Sequence, residues 1–295
     1  TYTVDIIDDN GCTTSATATV NEPNVLSASV SETASITCNG GSANIRITAS
    51  GGTGTKTFSF EGQADNTTGE FTGITAGTYD WSVEDDNGCA LSGTYEIQEP
   101  TAVEITSIGS NSDICEGETL TLTSSSTGGT GNLSYSWTGP NGFTSNSPNP
   151  SIANASAAAT GTYTLIVTDE NGCTDQLTTD VIVHPTPVVT ATPQTQAVCH
   201  NSPTTAISFS GADSYTWTND NTSIGLAASG NGDIPSFTAL NTGNEPITAT
   251  LIVTPSGNGC TGTPLNVTIT VNPIPVAAVA PEEAVFCHDA TVNIE

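Results

Sequence analysis

The chain contains 295 residues, of which 30 are acidic and only two, Arg46 and Lys56, are basic, so its formal net charge is −28. Two basic side chains cannot form the cationic patch that neutralises nucleic-acid phosphates or draws a protein to an anionic membrane surface. No apolar run approaches the roughly 18 residues of a membrane-spanning helix, so the composition argues against nucleic-acid binding and membrane insertion.

The predicted elements repeat along the chain, and the cysteines mark the period. An Asn-Gly-Cys triplet recurs at intervals of 77, 84 and 87 residues, and such a near-constant period is the signature of a repeat architecture. The triplets end at Cys12, Cys89, Cys173 and Cys260, and the other cysteines, Cys38, Cys115, Cys199 and Cys287, follow with the same period. We therefore expect a tandem array, and we expect this chain to be a segment of a longer one.

Five segments follow from aligning the repeats. Residues 1–23 are predicted to be the last two strands of a preceding repeat, residues 24–100, 101–187 and 188–275 three whole repeats, and residues 276–295 the first strands of a following repeat. The joints between repeats are short and contain proline, which limits bending between neighbours. Neighbouring repeats of the same long chain are therefore the first partners expected for each repeat.

Within each repeat, apolar and polar residues alternate with a period of two, the pattern of strands with one buried face. Examples are Thr119–Thr123 and Tyr163–Thr168, which are rich in the β-branched residues that favour strands. Asn-Gly between two strands predicts hairpins with type I′ turns. Gly51–Gly54 and Gly128–Gly131 are predicted to be turns and not phosphate-binding loops, because they precede strands rather than helices. Ala153–Ala159 is predicted to contain a helical turn.

About seven short strands per repeat, separated by turn residues, predict immunoglobulin-like β-sandwiches. Trp137 and Trp217 occupy the mid-repeat position at which such a sandwich holds its core aromatic residue, and Phe60 takes that position in the first whole repeat. The predicted fold class is therefore all-β, a tandem array of immunoglobulin-like sandwiches that form an elongated rod.

Residues 24–100 contain an ordered set of short motifs: Cys38–Ser42, Ala49–Gly54, Gly77–Tyr79, Asp86–Cys89 and Glu99–Pro100. In this order they resemble the SprB-type repeats of gliding-motility surface adhesins in Bacteroidetes. Residues 101–187 and 188–275 resemble the PKD-like and Ig-like modules of the same surface proteins. The resemblance implies a secreted protein on the cell surface, exported by the type IX system, with adhesion to a surface or a polysaccharide and a role in gliding motility.

The cysteines are predicted to form disulfides. An even number in two periodic series, with no Cys-x-x-Cys motif, favours disulfides over zinc ligands and an extracellular location. The predicted structural cysteines are Cys38, Cys89, Cys115, Cys173, Cys199 and Cys260.

Two pairings of these cysteines are open. One joins cysteines within each repeat: Cys38 with Cys89, Cys115 with Cys173 and Cys199 with Cys260. In a standard sandwich, however, the two turns concerned lie at opposite ends, about 25 Å apart, whereas a disulfide needs Cα atoms within about 7 Å. The other pairing joins successive repeats, as Cys38–Cys173 and Cys115–Cys260.

Calcium is the ligand that the sequence favours most. Asp85 with Asp86, and Asp169 with Glu170, place carboxylates together at hairpin tips, and hard cations prefer such oxygens. The alternative is that acidic residues are present because they favour turns. No other cofactor is expected.

No arrangement of residues predicts an enzyme. The chain has three histidines and lacks the nucleophile-elbow, zinc-protease and P-loop motifs. We therefore expect a non-catalytic repeat segment of a very long, extracellular cell-surface adhesin or filament. Two alternatives are a self-assembling structural filament or surface layer, in which other copies are the partners, and an Ig-like spacer of a secreted polysaccharide-degrading enzyme.

Overall fold

The computed structural model describes residues 1–275, so the strands predicted in residues 276–295 lie outside the described residues. The first half contains β1 (Tyr2–Ile7), β2 (Thr13–Ala18), β3 (Ser27–Ala34), β4 (Ala43–Ser50), β5 (Lys56–Phe60), β6 (Glu70–Ile74), β7 (Gly77–Asp85), β8 (Ala90–Ile97), β9 (Glu104–Ser110), β10 (Ile114–Cys115), β11 (Leu120–Thr127), β12 (Ser134–Thr138) and β13 (Thr144–Ser145). The second half contains β14 (Ser151–Ile152), β15 (Gly161–Thr168), β16 (Thr174–Val181), β17 (Val183–His184), β18 (Thr190–Thr192), β19 (Thr195–Cys199), β20 (Ser208–Ser210), β21 (Ser214–Asn219), β22 (Ser229–Asn231), β23 (Ile247–Gly257), β24 (Cys260–Thr261) and β25 (Leu265–Asn272).

Helical structure in the described residues is limited to single 3₁₀ turns. They are Pro140–Gly142, Ala157–Ala159 and Thr222–Ile224. The second of them lies in the segment predicted to contain a helical turn. No helix in residues 1–275 is long and apolar enough to cross a membrane. The predicted all-β class is therefore confirmed.

The chain divides into two compact units. The first consists of Thr1–Ser110, Thr121–Pro150 and Thr162–Thr179, and the second of Asn111–Leu120, Ser151–Gly161 and the residues from Asp180 onward. Each unit combines segments that are distant in the sequence, because strands pair with partners far along the chain.

The first unit contains two facing three-stranded sheets, ordered β3-β4-β6 and β5-β7-β8. Strict alternation places Ala43, Ile45 and Ile47 of β4 in the interior, where all three are buried. They pack in one apolar cluster with Phe60 and Val83 from the second sheet. Burial of one face from each sheet is what the period-two pattern predicts.

The first unit also holds a second set of strands, in which β12 pairs with β13 and with β15. Trp137 of β12 lies opposite Leu165 of β15, and both are buried. The Trp137 indole Nε1–H donates to the Pro148 carbonyl at 3.3 Å, which satisfies the polar atom of this core residue.

The second unit is built on a large sheet ordered β19-β25-β23-β21-β22. Trp217 of β21 is buried in its apolar cluster together with Leu251 and Ile269. Unlike the other pairings of this sheet, β19 runs parallel to β25, and the same unit holds a parallel pair of β10 with β17. Each parallel pair ends at a cysteine, Cys199 on β19 and Cys115 on β10.

The hairpin β1–β2 carries the same alternation but buries none of it. Tyr2, Val4 and Ile6 are 69%, 58% and 56% exposed. The sequence alignment equates Tyr2 and Val4 with Tyr163 and Leu165, which are both fully buried. The apolar face of this hairpin therefore has the composition of a core face without the covering sheet.

The Asn-Gly turns differ from the predicted type I′ at three of four sites. Type I′ needs positive φ at both central residues, and this holds only for Asn258 and Gly259. In the first hairpin the Gly11 N–H donates to the Asp8 carbonyl and Asp8 pairs with Cys12, which makes a three-residue loop with glycine alone in the left-handed region. An aspartate that begins a turn favours type I, and the fourth hairpin has serine at that position.

The equivalence of Leu165 and Val4 allows a matched test of burial. We predict that Leu165→Ala lowers the free energy of unfolding by about 2 to 5 kcal/mol, because it leaves a cavity in a packed interior. Val4→Ala should change it by less than about 0.5 kcal/mol, because the side chain is already exposed. Urea denaturation of both variants measures the difference, and equal effects would contradict the burial described here.

Candidate functional site

The first hairpin-tip carboxylate, Asp85, is buried and hydrogen-bonded. Its Oδ1 accepts the backbone N–H groups of Asn87 at 3.0 Å and Cys89 at 2.9 Å. Its Oδ2 accepts the N–H of Thr53, in the glycine-rich turn, at 2.7 Å. One side chain thus fixes its own hairpin loop and ties that loop to a turn distant in the sequence.

Asp169 makes the same set of contacts in the next repeat. Its Oδ1 accepts the N–H groups of Asn171 at 3.0 Å and Cys173 at 2.8 Å, and its Oδ2 accepts that of Thr130 at 2.9 Å. Asp85 and Asp169 are 5% and 6% exposed. The arrangement is therefore a repeated structural unit, which we call the aspartate clasp.

The second acidic residue of each pair extends the clasp. An Asp86 carboxylate oxygen accepts the N–H of Thr55 at 2.9 Å, and a Glu170 oxygen accepts both the N–H and the side-chain amide of Asn132 at 3.1 and 2.8 Å. Carboxylates that the sequence assigned to calcium therefore accept protein amides. Among residues 1–275 no group of three or more His, Cys, Asp or Glu side chains is placed to hold a metal ion, and calcium binding at these tips stays a prediction.

Glycine is required where the clasped turn meets the carboxylate. Gly52 has φ of +62°, and a Cβ atom there would lie 2.8 Å from Oδ2 of Asp85. Gly129 has φ of +70°, and a Cβ atom there would lie 2.9 Å from the Cβ atom of Asp169. The sequence pattern predicted that these segments are turns but did not predict their contact with the aspartates. The available signal was that Gly-Gly-Thr-Gly and the acidic pair occur together in the same two repeats.

The clasp shifts the acidity of both aspartates. The N–H groups of Thr53 and Cys89 hold the pKa of Asp85 below its ordinary value of 3.8. For Asp169, burial raises the pKa, but hydrogen bonds from Thr130, Cys173 and their neighbours outweigh burial and lower the pKa below 3.8 as well. Both carboxylates are therefore ionised at neutral pH.

Residues 1–275 contain two disulfides, and both join successive repeats. Cys38 and Cys173 are bonded with a Cα–Cα distance of 5.6 Å across 135 residues, and Cys115 and Cys260 with 5.7 Å across 145 residues. Of the two pairings left open by the sequence, the structure has the one between repeats. Beside the first bond, the Asn171 side-chain amide donates to the Thr37 carbonyl at 3.2 Å.

Two of the six predicted structural cysteines are not in disulfides. Cys89 and Cys199 are exposed free thiols, as is Cys12. The within-repeat bonds proposed for Cys89 and Cys199 do not form, because their partners, Cys38 and Cys260, are bonded to other repeats. Cys287 lies outside the described residues.

The histidines of the described chain have structural surroundings. His200 accepts the Asn241 N–H on Nδ1 at 2.8 Å. His184 Nε2 lies 3.5 Å from a carboxylate oxygen of Asp113. Neither of these contacts pairs a histidine with a serine or cysteine nucleophile.

The outer face of the β5-β7-β8 sheet bears a polar groove of about 640 Å³. Hydroxyl, carboxylate and amide groups dominate its lining, and these groups can form hydrogen bonds with a polar ligand. The residues that contribute polar side chains include Ser59, Glu61, Gln63, Asp65, Asp80 and Thr94.

Residues 102–183 match the family model of the immunoglobulin domain. No curated protein matches the chain. The N-terminal eight Ig domains of Down Syndrome Cell Adhesion Molecule isoform 1.30.30 align with 92% of this chain and 43% of that one, at 14% identity and a TM-score of 0.44. The N-terminal four Ig domains of Dscam1 isoform 6.9 align with 86% of this chain and 73% of that one, at 12% identity and a TM-score of 0.31.

A third similar structure is the complex of Dpr2 Ig1-Ig2 with DIP-Theta Ig1-Ig3, in which the matching chain is covered to 99% and this chain to 83%, at 12% identity and a TM-score of 0.32. This chain spans less than half of the DSCAM fragment. The family match falls within the repeat predicted at residues 101–187, so the immunoglobulin-like fold is confirmed there.

We predict that replacing both Cys38 and Cys173 by serine lowers the free energy of unfolding by about 2 to 5 kcal/mol, because the bond closes a long loop in the unfolded chain. Cys89→Ser serves as the control and should leave stability unchanged, since its thiol is free. Chemical denaturation without reductant measures both. A double variant as stable as the parent would contradict the bond.

We predict that the free energy of unfolding falls when the pH is lowered below about 4. The pKa values of Asp85 and Asp169 are lower in the folded than in the unfolded chain, so the ionised carboxylates stabilise the fold above the unfolded pKa. This contribution is lost as the pH falls through the folded-state pKa. Asp85→Asn should lower the melting temperature at neutral pH, since one amide oxygen cannot replace both acceptors, and should flatten the acid decline. Melting curves from pH 7 to about pH 2 test this. The exposed Asp5→Asn is the control, and parallel curves for Asp85→Asn and the parent would refute the assignment.

Proposed function

We propose that this chain is a non-catalytic repeat segment of a secreted cell-surface adhesin or filament. The observation that carries the proposal is the pair of disulfides between successive repeats. A bond within one small domain stabilises that domain alone, whereas these bonds join parts of neighbouring repeats. This suits a chain that transmits load along an array.

The location proposed is extracellular. Disulfides form and persist in oxidising compartments, and two are present here. The low content of basic residues adds protection outside the cell, since trypsin-like proteases cleave after Lys or Arg and only Arg46 and Lys56 are available.

The repeat boundaries proposed are those of the sequence alignment: residues 24–100, 101–187 and 188–275, with residues 1–23 and 276–295 belonging to adjacent repeats. The immunoglobulin-domain match at residues 102–183 supports the middle repeat. The resemblance to SprB-type and PKD-like modules suggests a gliding bacterium of the Bacteroidetes and type IX export as the setting.

For the adhesive contact we propose a polysaccharide or a hydrated surface. The polar groove on β5-β7-β8 supports this ligand class, because sugar hydroxyls pair with hydroxyl, amide and carboxylate groups of the kinds that line it. The net charge of −28 argues against a polyanionic ligand, which the protein would repel.

The test is retention of beads coated with the chain on neutral polysaccharide layers under flow. We expect retention by the parent protein and a loss of it with Thr94→Arg, which places a long side chain in the groove. Ser31→Arg adds the same charge on β3, away from the groove, and should bind like the parent.

The other outcomes separate the remaining readings. Sedimentation that shows large assemblies of the parent, with no retention on any layer, would overturn adhesion in favour of a structural filament. Equal retention of the parent and both arginine variants would place adhesion elsewhere on the chain and contradict the groove.

A further inference from the structure

Every Asn-Gly-Cys hairpin contains a residue pair whose asparagine can lose its side-chain amide spontaneously. The backbone nitrogen of the glycine attacks Cγ of the asparagine, and ammonia leaves with the displaced proton, so that a cyclic succinimide forms. Water then opens the ring to aspartate or to isoaspartate. Glycine favours the attack because it has no Cβ atom to shield its nitrogen. The pairs are Asn10–Gly11, Asn87–Gly88, Asn171–Gly172 and Asn258–Gly259.

In the hairpins that have the aspartate clasp, the attacking nitrogen is held in a hydrogen bond. The Gly88 N–H donates to the Asp85 carbonyl at 2.9 Å, and the Gly172 N–H donates to the Asp169 carbonyl at 3.1 Å. A bonded N–H of this kind reacts only after the loop has opened locally. The side chains of the same two aspartates oppose that opening, because each accepts two further N–H groups of its own loop. The clasp therefore protects the asparagine that precedes each glycine.

The hairpin of Cys260 lacks this protection. Ser256 stands where the clasped loops have aspartate, and the tip is a two-residue turn with φ of 49° at Asn258 and 77° at Gly259. Both tip residues are exposed. Within residues 1–275, the hydrogen bonds include none from the Gly259 N–H. The nitrogen that would attack is therefore unbonded in this hairpin, whereas its counterparts in the clasped hairpins are bonded.

We propose that Asn258 is a site of spontaneous deamidation, and that the aspartate clasp protects Asn87 and Asn171 from the same reaction. Water is the only co-reactant, and the products are aspartate and isoaspartate at position 258. The proposal concerns the chemistry of the hairpins and does not depend on adhesion or on the polar groove.

The modified residue lies beside a disulfide between repeats. Asn258 is two residues before Cys260, which is bonded to Cys115, and its N–H donates to Oδ2 of Asp213 at 3.2 Å. Aspartate at this position brings a second negative charge close to Asp213, and like charges repel. Isoaspartate adds one carbon atom to the backbone of the turn. Both products therefore alter the hairpin through which this repeat is bonded to the one before it.

The experiment follows Asn87, Asn171 and Asn258 together in the full, disulfide-bonded chain, kept in warm and mildly alkaline buffer. Peptide mapping by mass spectrometry gives the rate at each position, because replacement of the amide NH₂ by OH changes the mass of the peptide. The control is the same chain, reduced and unfolded in guanidinium chloride, in which only the neighbouring residues in the sequence influence the rate. The ratio of the unfolded rate to the folded rate measures the protection at each asparagine.

We expect the protection at Asn87 and at Asn171 to exceed that at Asn258 by about tenfold, because a hydrogen bond and the opening of the loop oppose the reaction only at the clasped sites. Asp85→Ser gives the first of these hairpins the residue found at the start of the unclasped one. This variant should raise the folded rate at Asn87 and leave the rate at Asn171, the matched site in the same molecule, unchanged.

Three results would overturn the proposal. They are equal protection at all three asparagines, stronger protection at Asn258 than at the clasped sites, and no reaction at Asn258 in the folded chain during the time in which the unfolded control reacts fully. The comparison within the parent chain decides the matter by itself, because it needs no variant. A folded rate at Asn87 that does not rise in Asp85→Ser would refute the protective role of the clasp.

Discussion

A buried carboxylate at the start of the hairpin is the contact on which the rest of this architecture depends. In the aspartate clasp, one side chain selects a three-residue loop, holds the following cysteine by its N–H and binds a turn from another part of the repeat. Hydrogen bonds to an ionised acceptor are roughly twice as strong as neutral ones. For Cys173, which forms a disulfide, the backbone position is therefore held by the equivalent contact with Asp169, four residues earlier in the chain.

The repeat centred on β23 shows what happens when that aspartate is absent. Ser256 occupies the position, the loop shortens to a two-residue turn with Asn258 at φ of 49°, and Cys260 is buried. A carboxylate is still present, because Asp213, which immediately precedes β21, accepts the Asn258 N–H at 3.2 Å. Cys260 therefore forms its disulfide from the same repeat position as Cys173, although the carboxylate that contacts its hairpin comes from a different residue, Asp213.

The strands and the repeat could be predicted from the sequence because each leaves a local signal. Residues such as Ile45 and Ile47 alternate with polar neighbours, and the cysteines recur with one period. The type of hairpin turn could not be predicted from Asn-Gly alone, since the aspartate before it decides the outcome. The contact between Asp85 and Thr53 was not predicted, because the two residues are 32 residues apart and only the joint occurrence of the glycine-rich turn and the acidic pair in two repeats connects their segments.

The pairing of the cysteines could not be predicted from the sequence either, because both the pairing within repeats and the pairing between repeats stayed open. The distance between opposite ends of a sandwich argued against bonds within a repeat, but only the placement of Cys38 beside Cys173 resolves which cysteines meet. Cys89 cannot form the bond within its repeat, because Cys38 is already bonded to Cys173. Pairing in such arrays is a property of neighbours and not of the single repeat.

The two disulfides also overlap along the chain, since Cys115 lies inside the loop closed by Cys38–Cys173 and Cys260 lies beyond it. Hydrolysis of any one peptide bond between residues 38 and 260 therefore leaves the two fragments covalently joined by at least one bridge. Between residues 38 and 260 the chain is therefore covalently connected both through the backbone and through at least one disulfide. A single proteolytic cut in this stretch would therefore not release a fragment of the chain.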